Sequence, residues 1–124
     1  MSRPGSATRT ARGHAAETLA AAHLEAQGYR VVARNHRCAA GEIDLIAWEG
    51  DILCFVEVRS RRDESFGDPL ETIGAAKQRR LVRAAADYLS GLRGRTPETR
   101  FDAVGIVLTE PPQIRLVRQA FEVA

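Results

Sequence analysis

The chain lacks most of the features that settle a protein's class at once. It holds two cysteines, Cys38 and Cys54, too few for a disulfide scaffold or a four-ligand zinc site. Its three histidines, His14, His23 and His36, have no metal-ligand or triad spacing, and there is no glycine-rich phosphate loop. The longest unbroken apolar run is five residues, Ile52 to Val56, far below the ~20 that a membrane-spanning helix needs. Met1-Ser2-Arg3-Pro4-Gly5 has no apolar stretch behind its basic residue, which points away from a secretion signal. A cytoplasmic protein with no membrane partner is expected. Charge of one sign is lacking too: 18 Lys+Arg against 16 Asp+Glu leave a net +2, so no polyanion-binding tail dominates. Lysine is almost absent. Lys77 is the one lysine among 18 basic residues, so arginine in place of lysine at any position reflects a drift of the whole composition.

What remains is enough for one folded domain: 124 residues, 44% of them apolar. Met1 to Thr8 reads as a flexible arm, and residues 9–124 as a single domain. Arg9 to Gln27 reads as a helix closed by Gly28, with Gly13, Glu17, Ala20, Ala21 and Leu24 on its inner stripe. Strands are expected at Tyr29 to Arg37, Glu42 to Trp48 and Asp51 to Arg59. A loop over Arg61 to Gly67 leads to Pro69, placed to open a second helix that runs to about Leu92. Leu70, Ile73, Lys77, Leu81, Ala84, Ala85 and Tyr88 form its inner stripe. Strands at Arg100 to Leu108 and Gln113 to Gln119 complete the order α-β-β-β-α-β-β, one mixed central sheet with two helices.

The two central strands carry the chemistry. With Glu49-Gly50 as the hairpin loop, opposed positions sum to 99, placing Glu42 opposite Glu57 and Asp44 diagonal to it. One face is then wholly apolar: Ile43, Leu45 and Ala47 with Ile52, Cys54, Val56 and Val58. The other begins apolar, with Trp48, Ile46, Leu53 and Phe55, and ends in Asp44, Glu42, Glu57 and Arg59. Like charges so close repel, and burial adds to the cost. A divalent cation such as Mg²⁺ or Mn²⁺ would relieve it. The plain alternative is a structural ion network in which Asp44 and Glu57 pair with Arg59, Arg34 or Arg37. Glu17 stands on an inner helix stripe where Ala or Leu would be ordinary. Lys77 stands likewise between Ile73 and Leu81, as a snorkelling lysine or a functional one. Arg61 and Arg62 after the third strand, and Lys77, Arg80 and Arg83 on the second helix, flank the acids as a phosphate backbone would require.

Gly41-Glu42-Ile43-Asp44-Leu45-Ile46, then Phe55-Val56-Glu57-Val58-Arg59 with twelve residues between Asp44 and Glu57, resembles the PD-(D/E)xK nuclease superfamily. More narrowly, the chain resembles the uncharacterised YraN-type bacterial proteins, relatives of archaeal Holliday-junction resolvases. Gly13, Glu17, Asn35, Phe66-Gly67, Pro69, Lys77, Leu81 and Arg100-Phe101-Asp102 extend the likeness over nearly the whole chain. The resemblance implies a restriction-endonuclease-like fold and Mg²⁺- or Mn²⁺-dependent hydrolysis of DNA phosphodiesters. It places the metal on Asp44, Glu57 and the Val58 carbonyl, with Glu17 as the acid of the first helix. Branched or junction DNA is the implied substrate, and two-fold cutting would suit a homodimer. Arg59 falls where the superfamily usually has lysine, and it cannot serve as a base. Two alternatives therefore stay open: Lys77 supplies an ammonium from the second helix, or the chain binds nucleic acid with weak or no catalysis. A protein–protein adaptor ranks behind both, since it needs neither the acids nor their basic flanks.

Overall fold

A computed structural model of the chain describes residues 4–63, 68, 70 and 73–123, the side chains of 4–12 excepted. The element order is α1 (Pro4–Ala26), β1 (Arg30–Cys38), β2 (Gly41–Glu49), β3 (Ile52–Arg61), α2 (Ala75–Ser90), β4 (Glu98–Val107) and β5 (Gln113–Val117). This is the α-β-β-β-α-β-β order expected. α1 takes in residues 4–8, ahead of the Arg9 start read from the sequence. α2 begins after Gly74, so Leu70 and Ile73 precede the helix and do not belong to its stripe. Pro69 and Phe66-Gly67 lie outside the described residues.

The sheet runs β1-β2-β3-β4-β5. Pairing is antiparallel except between β3 and β4, where the chain crosses through α2 as a parallel connection requires. Period-2 alternation gives each central strand two apolar faces. Leu45, Ala47, Cys54 and Val56 meet Ala16, Ala20 and Leu24 of α1. Ile46, Leu53 and Phe55 meet Leu81, Ala84 and Ala85 of α2. The result is three layers, with the sheet covered on both faces by a helix. Gly13, expected on the inner stripe of α1, is exposed, and an added Cβ there would touch nothing.

The hairpin is shifted from its expected place. Glu49 pairs with Ile52 and Leu45 with Val56, so the loop is Gly50-Asp51 and opposed positions sum to 101. Gly50 takes a left-handed φ of 58° there, which glycine adopts without strain. Because the sum moved by two, nearly every side chain keeps its expected face. The exceptions lie at the start of β2: Ile43 packs on the α2 side beside Ile46, and Glu42 and Asp44, expected on that side, bring their carboxylates to Glu17 of α1. The cause is a local break in alternation. β2–β3 pairing ends at Leu45–Val56, and Asp44 stands opposite Asn35, whose φ of 52° kinks β1. The two central strands therefore part at Asp44.

Candidate functional site

The break in alternation creates the site. Continuing the 101 register one step past Leu45–Val56 sets Asp44 directly opposite Glu57, not diagonal to it as expected. Glu42 is correspondingly displaced and does not stand opposite Glu57. Carboxylate oxygens of Glu17 on α1 and of Glu42 and Asp44 on β2 lie within 4.8 Å of one another. Asp44 accepts a 2.8 Å hydrogen bond from the Val58 amide, which ties the two strands together at their parting. Burial, and then the facing Glu57 carboxylate, raise the Asp44 pKa to about 8, with Glu17 adding to the shift and the Val58 amide opposing it. Near neutrality Asp44 thus holds its proton, first because it is buried and then because Glu57 and Glu17 face it.

Glu57 has the opposite surroundings. Its side chain is 7% exposed, and one oxygen, Oε2, lies 3.5 Å from Arg59 Nε and 3.4 Å from Lys77 Nζ. One pair of the expected ion network is present, Arg59 with Glu57; Arg37 donates instead to Glu42 at 3.0 Å, and Asp44 is faced by acids. Lys77 does not snorkel. The remaining basic residues form a rim. Arg61 at the end of β3 and Arg62 just beyond it are exposed, as are Arg80 and Arg83 on α2. The Arg80 Cβ would lie 3.5 Å from a Cβ at Gly41, so this rim overhangs the start of β2. Oxygen donors of this number suit a hard divalent cation, and the cations beside them suit a phosphate.

A second ionic cluster was not anticipated. Asp102, 1% exposed, accepts from Arg100 Nε at 2.7 Å, the Tyr29 hydroxyl at 2.7 Å and the Gln119 amide at 3.0 Å. Arg100 also reaches Glu49 at 2.6 Å, and Arg118 closes on the same carboxylate at 2.6 Å. Arg100 and Asp102, two apart and hence on one strand face, were the sequence signal. Glu49, Tyr29 and Arg118 come from elsewhere in the chain and gave none. Asp102, buried and held by three donors, is a structural acid. Cys54, an expected core residue, is buried beside this cluster, and burial pushes its thiol up to about 12, which leaves no thiolate nucleophile.

Fold and site together define a class: a three-layer α/β protein with a carboxylate cluster where its two central strands part. Residues 16–106 match the family described as "Uncharacterised protein family UPF0102", and the chain belongs to that family. It is 44% identical over 115 residues to a UPF0102 protein of Anaeromyxobacter sp. (strain Fw109-5), covering 92% of this chain and 86% of the relative. A UPF0102 protein of Symbiobacterium thermophilum is 48% identical over 114 residues, 88% of this chain and 94% of that one. No helix among the described residues is long and apolar enough to cross a membrane.

Proposed function

We propose that this protein is a divalent-metal-dependent endonuclease that hydrolyses DNA phosphodiesters, with branched or junction DNA as substrate and two copies acting on a two-fold junction. What carries the proposal is the Asp44 cluster. A sheet that buries Asp44 beside Glu57 and Glu17, raising its carboxyl to about 8, and sets Glu42 close by has arranged oxygen donors at a cost to itself. The donor set fits Mg²⁺ or Mn²⁺, which accept carboxylates together with water and phosphate oxygens. Asp44, Glu57 and the Val58 carbonyl would hold the ion, with Glu17 and Glu42 beside it. Once bound, the ion would lower the pKa of a water and polarise a phosphoryl oxygen. Glu17 and Glu42 orient that water, and Arg59 offsets the negative charge that develops on the phosphate. Arg61, Arg62, Arg80 and Arg83, all exposed, take the backbone on either side.

A second reading keeps the fold and the nucleic acid but not the cleavage. Glu57 already holds two cations, Arg59 and Lys77, which favours a binding module. The two readings separate on junction and flap oligonucleotides with Mn²⁺ or Mg²⁺. Cutting that disappears in chelator and in Asp44→Ala is the expected result. Binding that persists in chelator, with no cutting at any metal concentration, would establish the module instead.

A further inference from the structure

Lys77 is the third residue of α2 and shares a stripe with the buried Leu81, Ala84 and Ala85. A lysine so placed usually sends its amine out to water while its stem covers the core. Here the ammonium goes inward: Nζ lies 3.4 Å from Glu57 Oε2, while 34% of the Lys77 side chain stays in solvent. One flank rests on a buried carboxylate and another is open. Helix stability does not explain the residue either. Acids favour a helix start and cations oppose it, yet the first turn of α2 has no acid, and Lys77, Arg79, Arg80 and Arg83 follow its Gly74 cap.

The explanation lies in what Lys77 faces, which is Glu57 and, opposite it, Asp44. Arg59 approaches the same Glu57 oxygen, but the two cations are not equivalent. Arg59 rides on β3 itself with a planar guanidinium. Lys77 reaches over from a different layer on a four-carbon stem, pairs with Glu57 as an ion, and carries three N–H donors. A phosphoryl group reacting beside carboxylates gathers negative charge on its equatorial oxygens and is stabilised by donors already aimed there.

We propose that Lys77 is a catalytic residue of this site: its ammonium, held by Glu57 at the seam of α2 and β3, donates a hydrogen bond to a non-bridging oxygen of the scissile phosphate. No bond to Lys77 forms or breaks. The inference rests on the nuclease reading and deepens it, since a second cation, from the helix, then joins Arg59 at the phosphate.

The single lysine makes the test selective. Feeding ε-¹⁵N-labelled lysine during expression labels the Lys77 ammonium alone and leaves its three N–H donors intact. With Ca²⁺ and a phosphorothioate junction DNA, the Lys77 resonance should move on binding. Lys77→Met should cut about 100-fold slower than wild type at saturating Mn²⁺. Its DNA affinity in chelator should stay within about threefold. Arg59→Lys in the Lys77→Met background should recover about tenfold of the lost rate. A variant that cuts as wild type, or regains full turnover at saturating Mn²⁺, would make Lys77 a mere support for Glu57 and overturn the proposal. So would a resonance that stays put while anisotropy reports bound DNA. Wild-type protein that cuts no DNA removes the nuclease reading itself, and that arm is read first.

Discussion

Asp102 and Asp44 are both acids set into the same sheet, and their surroundings drive them in opposite directions. Around Asp102 burial works to raise the pKa, but the Arg100 guanidinium, the Gln119 amide and the Tyr29 hydroxyl outweigh it and the net shift is downward. Glu49, in the same cluster, is held down at about 2, first by Arg118 and also by Arg100, with burial opposing. Two arginines balance two acids, and among the described residues no buried side-chain polar atom lacks a partner. Around Asp44 burial also raises the pKa, and the neighbours add to it because they are acids themselves. The first cluster is complete as folded, whereas on the function proposed above a divalent cation would complete the second. A protein gives up stability in this way where function requires it.

That contrast breaks most sharply if activity and stability are measured on the same variants. Asp44→Ala should lower cleavage by about 10³-fold or more, while its urea midpoint stays level or rises, because crowding is relieved. Should Asp44→Ala instead unfold as readily as an Asp102 variant, Asp44 is structural and the two clusters are alike. The converse change follows in size. Asp102→Ala leaves Arg100 without its bidentate partner in a buried setting and should cost about 3–5 kcal/mol, read from urea melts followed by circular dichroism. An Asp102→Ala protein as stable as wild type would end the view of this cluster as a clasp.

The sequence makes the two clusters unequally legible. Asp44, Glu42, Glu57 and Arg59 lie on strands joined by a short hairpin, so period-2 alternation brings them together even when the loop is misplaced by one residue. A loop one residue further on shifts the pairing sum by two and leaves the faces intact up to Leu45, beyond which Ile43, Glu42 and Asp44 depart. That departure accompanies Asn35, whose left-handed backbone carries no signal that distinguishes it from any turn-prone asparagine. The inward aim of Lys77 was equally unreadable, since helical spacing fixes the stripe but not the end of a four-carbon side chain. The Asp102 cluster draws on residues 29, 49, 100 and 118, and such long-range pairings leave no local pattern. α2 was read too long because its apolar spacing continues back through Ile73, where the chain is already outside the helix.

Acidity gives the next test, with opposite signs at the two places. Native Asp44 keeps its proton up to about 8 while the unfolded chain releases it near 3.8, so the unfolded state binds fewer protons between those values. Without divalent ions, stability should therefore decline as pH rises from about 4 to 8. Asp44→Asn should flatten that slope. Mg²⁺ requires the ionised form, so its affinity by titration calorimetry should climb with pH, approaching about tenfold per unit below pH 8, and level off above it. Affinity that is flat between pH 6 and 8 would refute the crowding. Glu49 behaves inversely. Its pKa of about 2 lies below the ordinary 4.5, so its stabilisation is fully present above about 4.5 and is lost as pH falls towards 2.

The smallest expected effect probes how much of the balanced cluster is rim. Arg118 has 45% of its side chain exposed, and Glu49 keeps Arg100 at 2.6 Å when Arg118 is removed. Arg118→Ala should therefore cost only about 1 kcal/mol or less near neutrality. Its clearer mark should be in acid. Arg118 is the largest cause of the Glu49 depression, so without it Glu49 protonates at higher pH and the acid-unfolding midpoint moves upward. Arg100→Ala, by contrast, strips both Glu49 and the buried Asp102 of a partner and should approach the cost of losing Asp102 itself. If the two arginine variants prove equally mild, the cluster is a set of independent surface pairs, and the balance attributed to it belongs to Asp102, Tyr29 and the Gln119 amide alone.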